Sequence, residues 1–364
     1  MADLPLSGSV ADVAAVRTRF GDRAPALIET TLLRRRAATK LPDAHGWLFT
    51  DEALQQATAT PVARHRAQRL AGRAVHDATC SLGTELAVLR EVTADLVGSD
   101  LDPVRLAMAR HNLGPRPLLC RADALRPITT DAVVVIDPAR RSGGTRRFDP
   151  KAYTPPLDQV LQVYRDRDLV VKCAPGIDFA ALAELGFVGE IEVTSLAGSV
   201  REACLWSPGL AQPGVSRRAT VLDTGEQLTD ADPDECRSGP AGRWIVDPDG
   251  AVVRAGLVRQ YAARHGLWQL DPDIAYLTGD TLPAGMRGFE VFDQLPFTEK
   301  KLRQVLSALD CGALEILVRG VGVDPDALRR RLRPKGRHAL SVVITRIGTG
   351  GASRAMAFVC RPSW

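Results

Sequence analysis

The sequence predicts an α/β protein. Its centre is a doubly wound, largely parallel sheet, preceded by a helical region and followed by a smaller α+β part. Three observations predict it. From residue 75 onward, short β-branched runs alternate with helical patterns, the order expected of βαβ units. Ala132 to Ile136 and Leu169 to Cys173 are continuous apolar runs, as suits strands buried on both faces. Finally, Asp77, Asp100, Asp123 and Asp137 each stand at the carboxyl end of one of the first four strands, the edge where open α/β sheets bind ligands.

At 364 residues the chain is long enough for roughly two to three ordinary domains. A hydrophobic content of 45% and a charged content of 25% are those of a globular protein with a sizeable core. The net charge of +4 is too mild to argue for nucleic acid by itself. Of 47 basic residues only six are Lys, so the arginine excess runs through the whole chain and no single Arg cluster is evidence of phosphate binding. The seven cysteines are scattered, odd in number and without a C-x-x-C pair, which excludes a zinc ribbon and argues against a disulfide framework. Cys120, Cys173 and Cys204 sit in apolar strand-like runs and read as small core residues. No apolar run approaches the ~20 residues of a membrane span, and the N-terminus lacks a long apolar segment. The expectation is a reduced, cytoplasmic protein with no membrane partner and no metal.

Residues 1 to about 74 read as helical, over Val10 to Arg19, Ala24 to Arg36, Asp51 to Ala57 and Pro61 to Ala71. Thr50 and Thr60 are in place as caps, and Pro61 suits a first helical turn. Strands follow at Val75 to Ala78, Leu96 to Ser99, Pro117 to Arg121, Ala132 to Ile136 and Leu169 to Cys173, with helices at Thr84 to Arg90, Pro103 to Asn112 and Phe179 to Leu185. Gly189 to Ser195 and Arg201 to Trp206 form a closing antiparallel pair around Ala197-Gly198-Ser199. Ala219 to Leu222 reads as the domain's last strand. Composition shifts towards Pro, Gly and Asp near 207–240, as in a linker. Beyond it, Trp244 to Val246, a helix over Val252 to Arg264 and Leu282 to Gln294 form a small unit. A helix at Glu299 to Leu309, a strand at Ala313 to Arg319, a helix at Asp326 to Leu332, and strands at Ala339 to Ile347 and Arg354 to Cys360 complete the chain.

The stretch His76 to Gly83, His-Asp-Ala-Thr-Cys-Ser-Leu-Gly, closes the first strand and opens a helix. Small residues there let the backbone approach a ligand. The dinucleotide fingerprint G-x-G-x-x-G and the P-loop ending are both absent, so the turn is not built for a pyrophosphate. Asp77 inside the turn repels phosphate but suits an ammonium group. S-adenosylmethionine carries an ammonium and a sulfonium and no phosphate. On this reading Asp100 takes the ribose hydroxyls. Asp123 accepts from the adenine amine while the Ala124 amide reaches a ring nitrogen. Asp77 sits near the methionine ammonium. The cofactor-binding set is Asp77, Thr79, Ser81, Gly83, Asp100, Leu101, Asp123, Ala124 and Asp137. The competing reading is that each Asp simply caps the next helix; four together, on consecutive strands, make it the weaker one.

Asp-Ala-Thr-Cys-Ser-Leu-Gly at 77–83, Gly-Ser-Asp-Leu-Asp-Pro at 98–103 and Ala-Asp-Ala at 122–124 resemble the first three motifs of class I S-adenosylmethionine-dependent methyltransferases. Ser81 stands where that family usually has Gly. The lead-in helix at 61–67 resembles that of RNA cap and base methyltransferases. Asp-Pro-Ala-Arg-Arg at 137–141, Val-Lys-Cys-Ala-Pro-Gly-Ile-Asp at 171–178 and Val-Arg-Glu-Ala-Cys-Leu-Trp at 200–206 are similar to the bacterial methyltransferases with a C-terminal THUMP-like domain. The resemblance implies a Rossmann-like seven-stranded methyltransferase sheet over 75–225 after an N-terminal helical region, 1–74. It implies a ferredoxin-like module over 240–293 and a THUMP-like domain over 294–364, and an enzyme whose cofactor is S-adenosyl-L-methionine.

In amino-group methyltransferases, Asp or Asn, two Pro and an aromatic follow strand four; the carboxylate and a Pro carbonyl accept from an exocyclic amine. Asp137 and Pro138 are kept here, Ala139 replaces the second Pro, and Arg140 replaces the aromatic. A planar guanidinium can stack on a base. The implied catalytic set is Asp137, Pro138, Arg140 and Lys172. Lys172 lies inside an apolar strand, where a charge needs a partner; the alternatives are Asp137 and a substrate phosphate. Arg329, Arg330, Arg331, Arg333, Lys335, Arg337 and His338 form the densest basic run. It is either a solvated helix face or a phosphate contact, and the THUMP resemblance implies RNA. The expected function is methylation of RNA, at a base and its exocyclic amine. The rivals are a methyltransferase for a small molecule or protein, and a non-catalytic cofactor- or RNA-binding protein.

Overall fold

The structure, a computed structural model, describes residues 10–139, 141–142, 145–146, 152–348, 350 and 353–363. The chain forms two compact units, Met1–Ser216 with Leu222–Thr224, and Arg217–Val221 with Gly225–Trp364.

The first unit opens with helices α1 (Val10–Phe20), α2 (Ala24–Ala37), α3 (Asp51–Gln56) and α4 (Thr60–Arg69). Thr50 caps α3 as its position predicts, its hydroxyl accepting from the Ala53 N–H at 3.1 Å. Thr60 does not cap α4. Ala59 holds that place, and the Thr60 N–H and hydroxyl both donate to the Lys40 carbonyl, tying the helix start back to the end of α2. The Ala63, Ala67 and Leu70 stripe at helical spacing is buried against Val75, Val133, Val135, Val170 and Trp206 of the sheet. Burying Leu70 alone stabilises by about 1.5–3 kcal/mol relative to leaving it exposed.

The strands are β1 (Ala74–Asp77), β2 (Asp95–Asp100), β3 (Leu118–Arg121), β4 (Val133–Ile136), β5 (Leu169–Cys173), β6 (Glu190–Leu196) and β7 (Ser199–Trp206). Among the described residues of this unit their order is β3-β2-β1-β4-β5-β7-β6. Pairing is parallel from β3 to β5. It turns antiparallel where β7 inserts between β5 and β6. The resemblance implied a Rossmann-like methyltransferase sheet, and these seven strands of the unit form one with a parallel centre. The β6–β7 hairpin forms around the predicted residues, with Ala197 and Gly198 both at positive φ, as a two-residue turn of primed type requires. Helices α5 (Thr84–Leu89), α6 (Pro103–Leu113), α7 (Leu157–Val163) and α8 (Phe179–Glu184) connect the strands. Cys173 and Cys204 are core residues, but Cys120 is exposed. It sits on β3, at the sheet's end in this unit, where one partner strand covers only one side of the ladder.

The second unit begins with an antiparallel hairpin of β8 (Arg217–Val221) and β9 (Glu226–Thr229). The helix expected over Val252 to Arg264 is two helices, α9 (Gly250–Ala255) and α10 (Val258–His265). They break where Gly256 takes a left-handed conformation and caps the first. The strand expected from Leu282 starts later. Strands β10 (Trp244–Val246), β11 (Trp268–Gln269), β12 (Leu277–Gly279), β13 (Gly288–Pro296), β14 (Cys311–Arg319), β15 (His338–Ile347) and β16 (Arg354–Pro362) form one seven-stranded sheet, in the order β11-β12-β10-β13-β16-β15-β14. Period-two alternation divides its faces. Val342 and Ile344 pack with Leu302, Leu306, Leu328 and Leu332 of α11 (Glu299–Ala308) and α12 (Pro325–Leu332). Val343 and Phe358 face Leu270, Ile274 and Tyr276.

Candidate active site

The turn after β1 is drawn tight by backbone geometry. Gly83 has φ of 85°, a left-handed conformation that strains any other residue, and a Cβ there would also press on Leu113 Cδ1 at 2.6 Å. Ser81, where the resemblance leads one to expect Gly, also sits at positive φ, 47°. Its backbone N–H donates to Asp100 Oδ2 at 2.9 Å, and the Asp102 N–H donates to Asp100 Oδ1 at 2.9 Å. Asp100 thus joins the turn after β1 to the tip of β2, while its neighbour Asp102 caps α6. A second tie runs from the Asp137 N–H to Thr79 Oγ1, at 2.7 Å, and joins the turn to the end of β4.

These ties shape a cavity of about 380 Å³ at the carboxyl edge of the parallel strands. Asp77, Thr79, Ser81, Asp100, Leu101, Asp123, Ala124, Asp137 and Lys172 all line it. Of the predicted cofactor set, Gly83 alone does not; it packs against Leu113 and acts through the turn it permits. Asp123 is oriented by the Leu125 N–H, 2.9 Å from its Oδ1. A second cavity, of about 720 Å³, opens beside the first and shares Gln56, Ala57, Asp137 and Ala139 with it. Pro138 lines only this second cavity. Asp137 therefore stands where a group held in one cavity meets a group held in the other. Arg140 lies outside the described residues.

Behind Asp137 runs a buried chain of charges. Lys172, 5% exposed, donates to Asp137 Oδ2 at 2.5 Å and lies 3.7 Å from Glu85. The first of the two partners left open by the sequence is the one it finds. Glu85 receives a two-pronged hydrogen bond from Arg66, at 2.9 and 2.7 Å, and Arg66 also binds Glu202. Burial pushes the Lys172 ammonium down, but Asp137 and Glu85 beside it prevail and hold it above the ordinary lysine value. Burial and the neighbouring Glu85 push Asp77 the other way, up to about 8. At neutral pH the free protein holds Asp77 largely protonated.

Arg66, Glu85 and Glu202 are absent from the predicted site. Glu85 reads locally as an acid in a helix's first turn, favourable to the dipole by itself, and nothing in the spacing of residues 66, 85 and 202 joins them. Thr154, Pro155 and Pro156, which wall the first cavity, were also unforeseen. They arrive through a bridge between Ala139 and Thr154, with backbone hydrogen bonds of 2.8 and 3.0 Å.

The donor set fits S-adenosylmethionine. Buried and half-buried carboxylates suit its ammonium and ribose, and the two lining cations are already engaged, Lys172 as above and Arg105 with Glu52 at 3.1 Å. Among the described residues no cluster of three or more His, Cys, Asp or Glu side chains could hold a metal ion. No described helix is long and apolar enough to cross a membrane.

In the second unit the basic run divides. Arg329 pairs with Asp326 at 2.6 Å, Arg331 with Glu299 at 2.8 Å and Arg337 with Asp310 at 2.8 Å. Arg330, Arg333 and Lys335 are exposed and have no hydrogen-bond or ion-pair partner among the described side chains.

A Rossmann-like sheet in this strand order, with four acids in one crevice at its carboxyl edge, defines a class I methyltransferase. Comparison with known proteins agrees. The chain is 69% identical over 357 residues to an uncharacterized S-adenosylmethionine-dependent methyltransferase of Mycobacterium tuberculosis, in strains CDC 1551 / Oshkosh and ATCC 25618 / H37Rv, covering 96% of this chain and 100% of the relative. The chain belongs to this family of S-adenosylmethionine-dependent methyltransferases. Residues 286–362 match the family described as THUMP domain-like. The crystal structure of a proposed methyltransferase from Porphyromonas gingivalis W83 has the same fold, with a TM-score of 0.75 over 98% of this chain and 99% of that one, at 17% identity.

Proposed function

We propose that this methyltransferase acts on RNA, at an exocyclic amine of a base. The observation that carries the reading is a THUMP-like domain whose basic run keeps three exposed cations, Arg330, Arg333 and Lys335, that form no hydrogen bond or close ion pair with a described side chain. Exposed cations not so held suit phosphate contacts, which position a polyanion without reading its sequence.

The cofactor, when bound, supplies an electrophilic methyl group on sulfur. The chain's own work is positioning and exclusion of water. Asp77, Asp100 and Asp123 orient the cofactor through its ammonium, ribose and adenine. Asp137, at the junction of the two cavities, accepts a hydrogen bond from the acceptor's N–H and so aims the nitrogen lone pair. Pro138 presents its carbonyl beside it. Lys172 acts as a positioning residue, fixing one Asp137 oxygen. Arg140 is assigned to stack on the base. The test is methyl transfer from labelled cofactor into total RNA of a strain lacking this gene, with protein and small-molecule fractions of that strain as comparison. Label in RNA supports the reading; label only in another fraction replaces it.

A further inference from the structure

The connection from β3 to β4, residues 122–132, is irregular, yet Ala122, Asp123, Ala124 and Leu125 at its start line the cofactor cavity. A segment without helix or strand bonds keeps its shape through the groups that meet its backbone. Two such groups come from one turn just after α7. Arg167 donates to the Thr129 carbonyl at 2.7 Å and to the Ala132 carbonyl at 3.0 Å. Tyr164, 1% exposed, donates its hydroxyl to the Ala124 carbonyl at 2.6 Å. The Arg167 N–H donates to the Tyr164 carbonyl at 3.1 Å, and its guanidinium lies over the Tyr164 ring, 5.6 Å from the centroid. The helix itself begins directly after Pro156, which walls the same cavity, so both ends of α7 bear on it.

The Ala124 carbonyl shares its peptide group with the Leu125 N–H, the donor to Asp123 Oδ1 at 2.9 Å. A peptide group is planar, so a hydroxyl that fixes its carbonyl also fixes the direction of its N–H. The two bonds polarise one another across the peptide. Among the described residues no group hydrogen-bonds Asp123 Oδ2. Burial pushes the Tyr164 hydroxyl above the ordinary phenol value, against the pull of Arg167, so it remains a donor at neutral pH. A buried tyrosine hydroxyl commonly finds some acceptor. Here that acceptor belongs to the peptide that orients a cavity-lining acid.

We propose that Tyr164 is a positioning residue for adenine recognition. Its hydroxyl locks the Ala124–Leu125 peptide, the Leu125 N–H holds one oxygen of Asp123, and the other oxygen is thereby aimed at the exocyclic amine of the adenine. The inference rests on the proposed assignment of Asp123 to the adenine.

Calorimetric titration of the full chain tests it with S-adenosylhomocysteine and with its analogue carrying hydrogen in place of the adenine amine. The wild type is expected to bind the amine-bearing ligand roughly ten- to a hundredfold tighter, the range for a hydrogen bond to a charged group. Tyr164→Phe keeps the ring and loses only the hydroxyl. It is expected to cut that ratio by about fivefold or more and to leave the affinity for the analogue within about twofold of wild type. A tyrosine that only supports the fold would weaken both ligands alike, so an unchanged ratio in the variant overturns the proposal. Asp123→Ala separates the two levels, because it is expected to abolish the preference. If it does so and Tyr164→Phe does not reduce the preference, the adenine assignment stands and the role of Tyr164 falls. If the wild type shows no preference, or Asp123→Ala retains it, the assignment of Asp123 falls and the inference with it. Should Tyr164→Phe fail to fold, amide exchange at Leu125 in the ligand-free wild type decides. Slow exchange is expected, and exchange as fast as in an unfolded peptide overturns the proposal.

Discussion

Lys172 Nζ lies 2.5 Å from Asp137 Oδ2, from adjacent parallel strands, with Lys172 almost wholly buried. Removing one partner of a buried pair leaves an uncompensated charge, at a cost of about 3–5 kcal/mol. Lys172→Met should destabilise by that order. The double variant Lys172→Met/Asp137→Asn should recover part of the loss, because neither charge is left alone. Chemical denaturation of the four proteins measures the coupling; additive losses would mean that the pair is not coupled.

Asp137→Ala should abolish methyl transfer and leave cofactor affinity nearly intact. Asp137 borders both cavities, while Asp100 and Asp123, the acids we assign to the adenosine, border only the first. Full turnover in this variant would move the acceptor contact to another group.

Asp100→Ala should weaken cofactor binding by ~1.5–3 kcal/mol, the range for hydrogen bonds to a charged group. Loss of its bonds to the Ser81 and Asp102 amides should also loosen the turn, visible as faster amide exchange at Ser81. Unchanged affinity in calorimetry would sink the ribose assignment.

The first half of the site was legible because one short stretch of chain builds each part of it. Asp77 to Gly83 is a local turn, and Asp100, Asp123 and Asp137 each end or follow a strand whose sequence pattern is local too. Burial and parallel pairing then bring four strand ends to one edge without further information. The chain of Arg66, Glu85, Lys172 and Glu202 was not legible, because its hydrogen bonds join residues up to 136 positions apart. Each member has an ordinary local reading, and only tertiary packing sets them in alternation. The break at Gly256 was missed for a related reason. A Gly within a helical pattern can be tolerated or can end the helix, and here the left-handed cap decided it. The Cys120 error came from treating β3 as a covered strand, when it lies at the end of its sheet in that unit.

Cofactor binding should be linked to a proton on Asp77. Its folded pKa, about 8, lies far above its ordinary value because burial and Glu85 disfavour the carboxylate. The folded protein thus binds more protons than the unfolded chain between about pH 4 and pH 8, and this group lowers stability as pH rises through that window. A ligand ammonium favours the carboxylate, so binding at pH 7 should release close to one proton. Calorimetry in buffers of different ionisation enthalpy reads that number directly, and Asp77→Asn should remove Asp77's share of it. An identical proton count in wild type and variant would show that Asp77 does not change its protonation on binding and would remove it as the ammonium's partner.

The THUMP-like domain should contribute to RNA binding through Arg330, Arg333 and Lys335. Arg329, Arg331 and Arg337 are poor candidates, since each is already held by a carboxylate that a phosphate would have to displace. If the three remaining cations bind phosphates, RNA affinity should fall steeply with salt, with a logarithmic slope of about −0.7 per neutralised phosphate on single strands. Replacing all three with Ala should flatten the slope by about 0.7 for each phosphate left without its cation, and weaken unrelated RNA sequences to a similar degree. Arg331→Ala, made in parallel, should change the slope little and instead remove a weak tie to Glu299. Exposed ion pairs of this kind are screened by solvent and contribute little to stability. Filter binding across a salt series distinguishes the cases. An unchanged slope and affinity in the triple variant would reduce the run to a solvated helix face and move RNA recognition to the N-terminal helices around Arg34 to Lys40. A loss confined to one RNA sequence would point instead to base recognition.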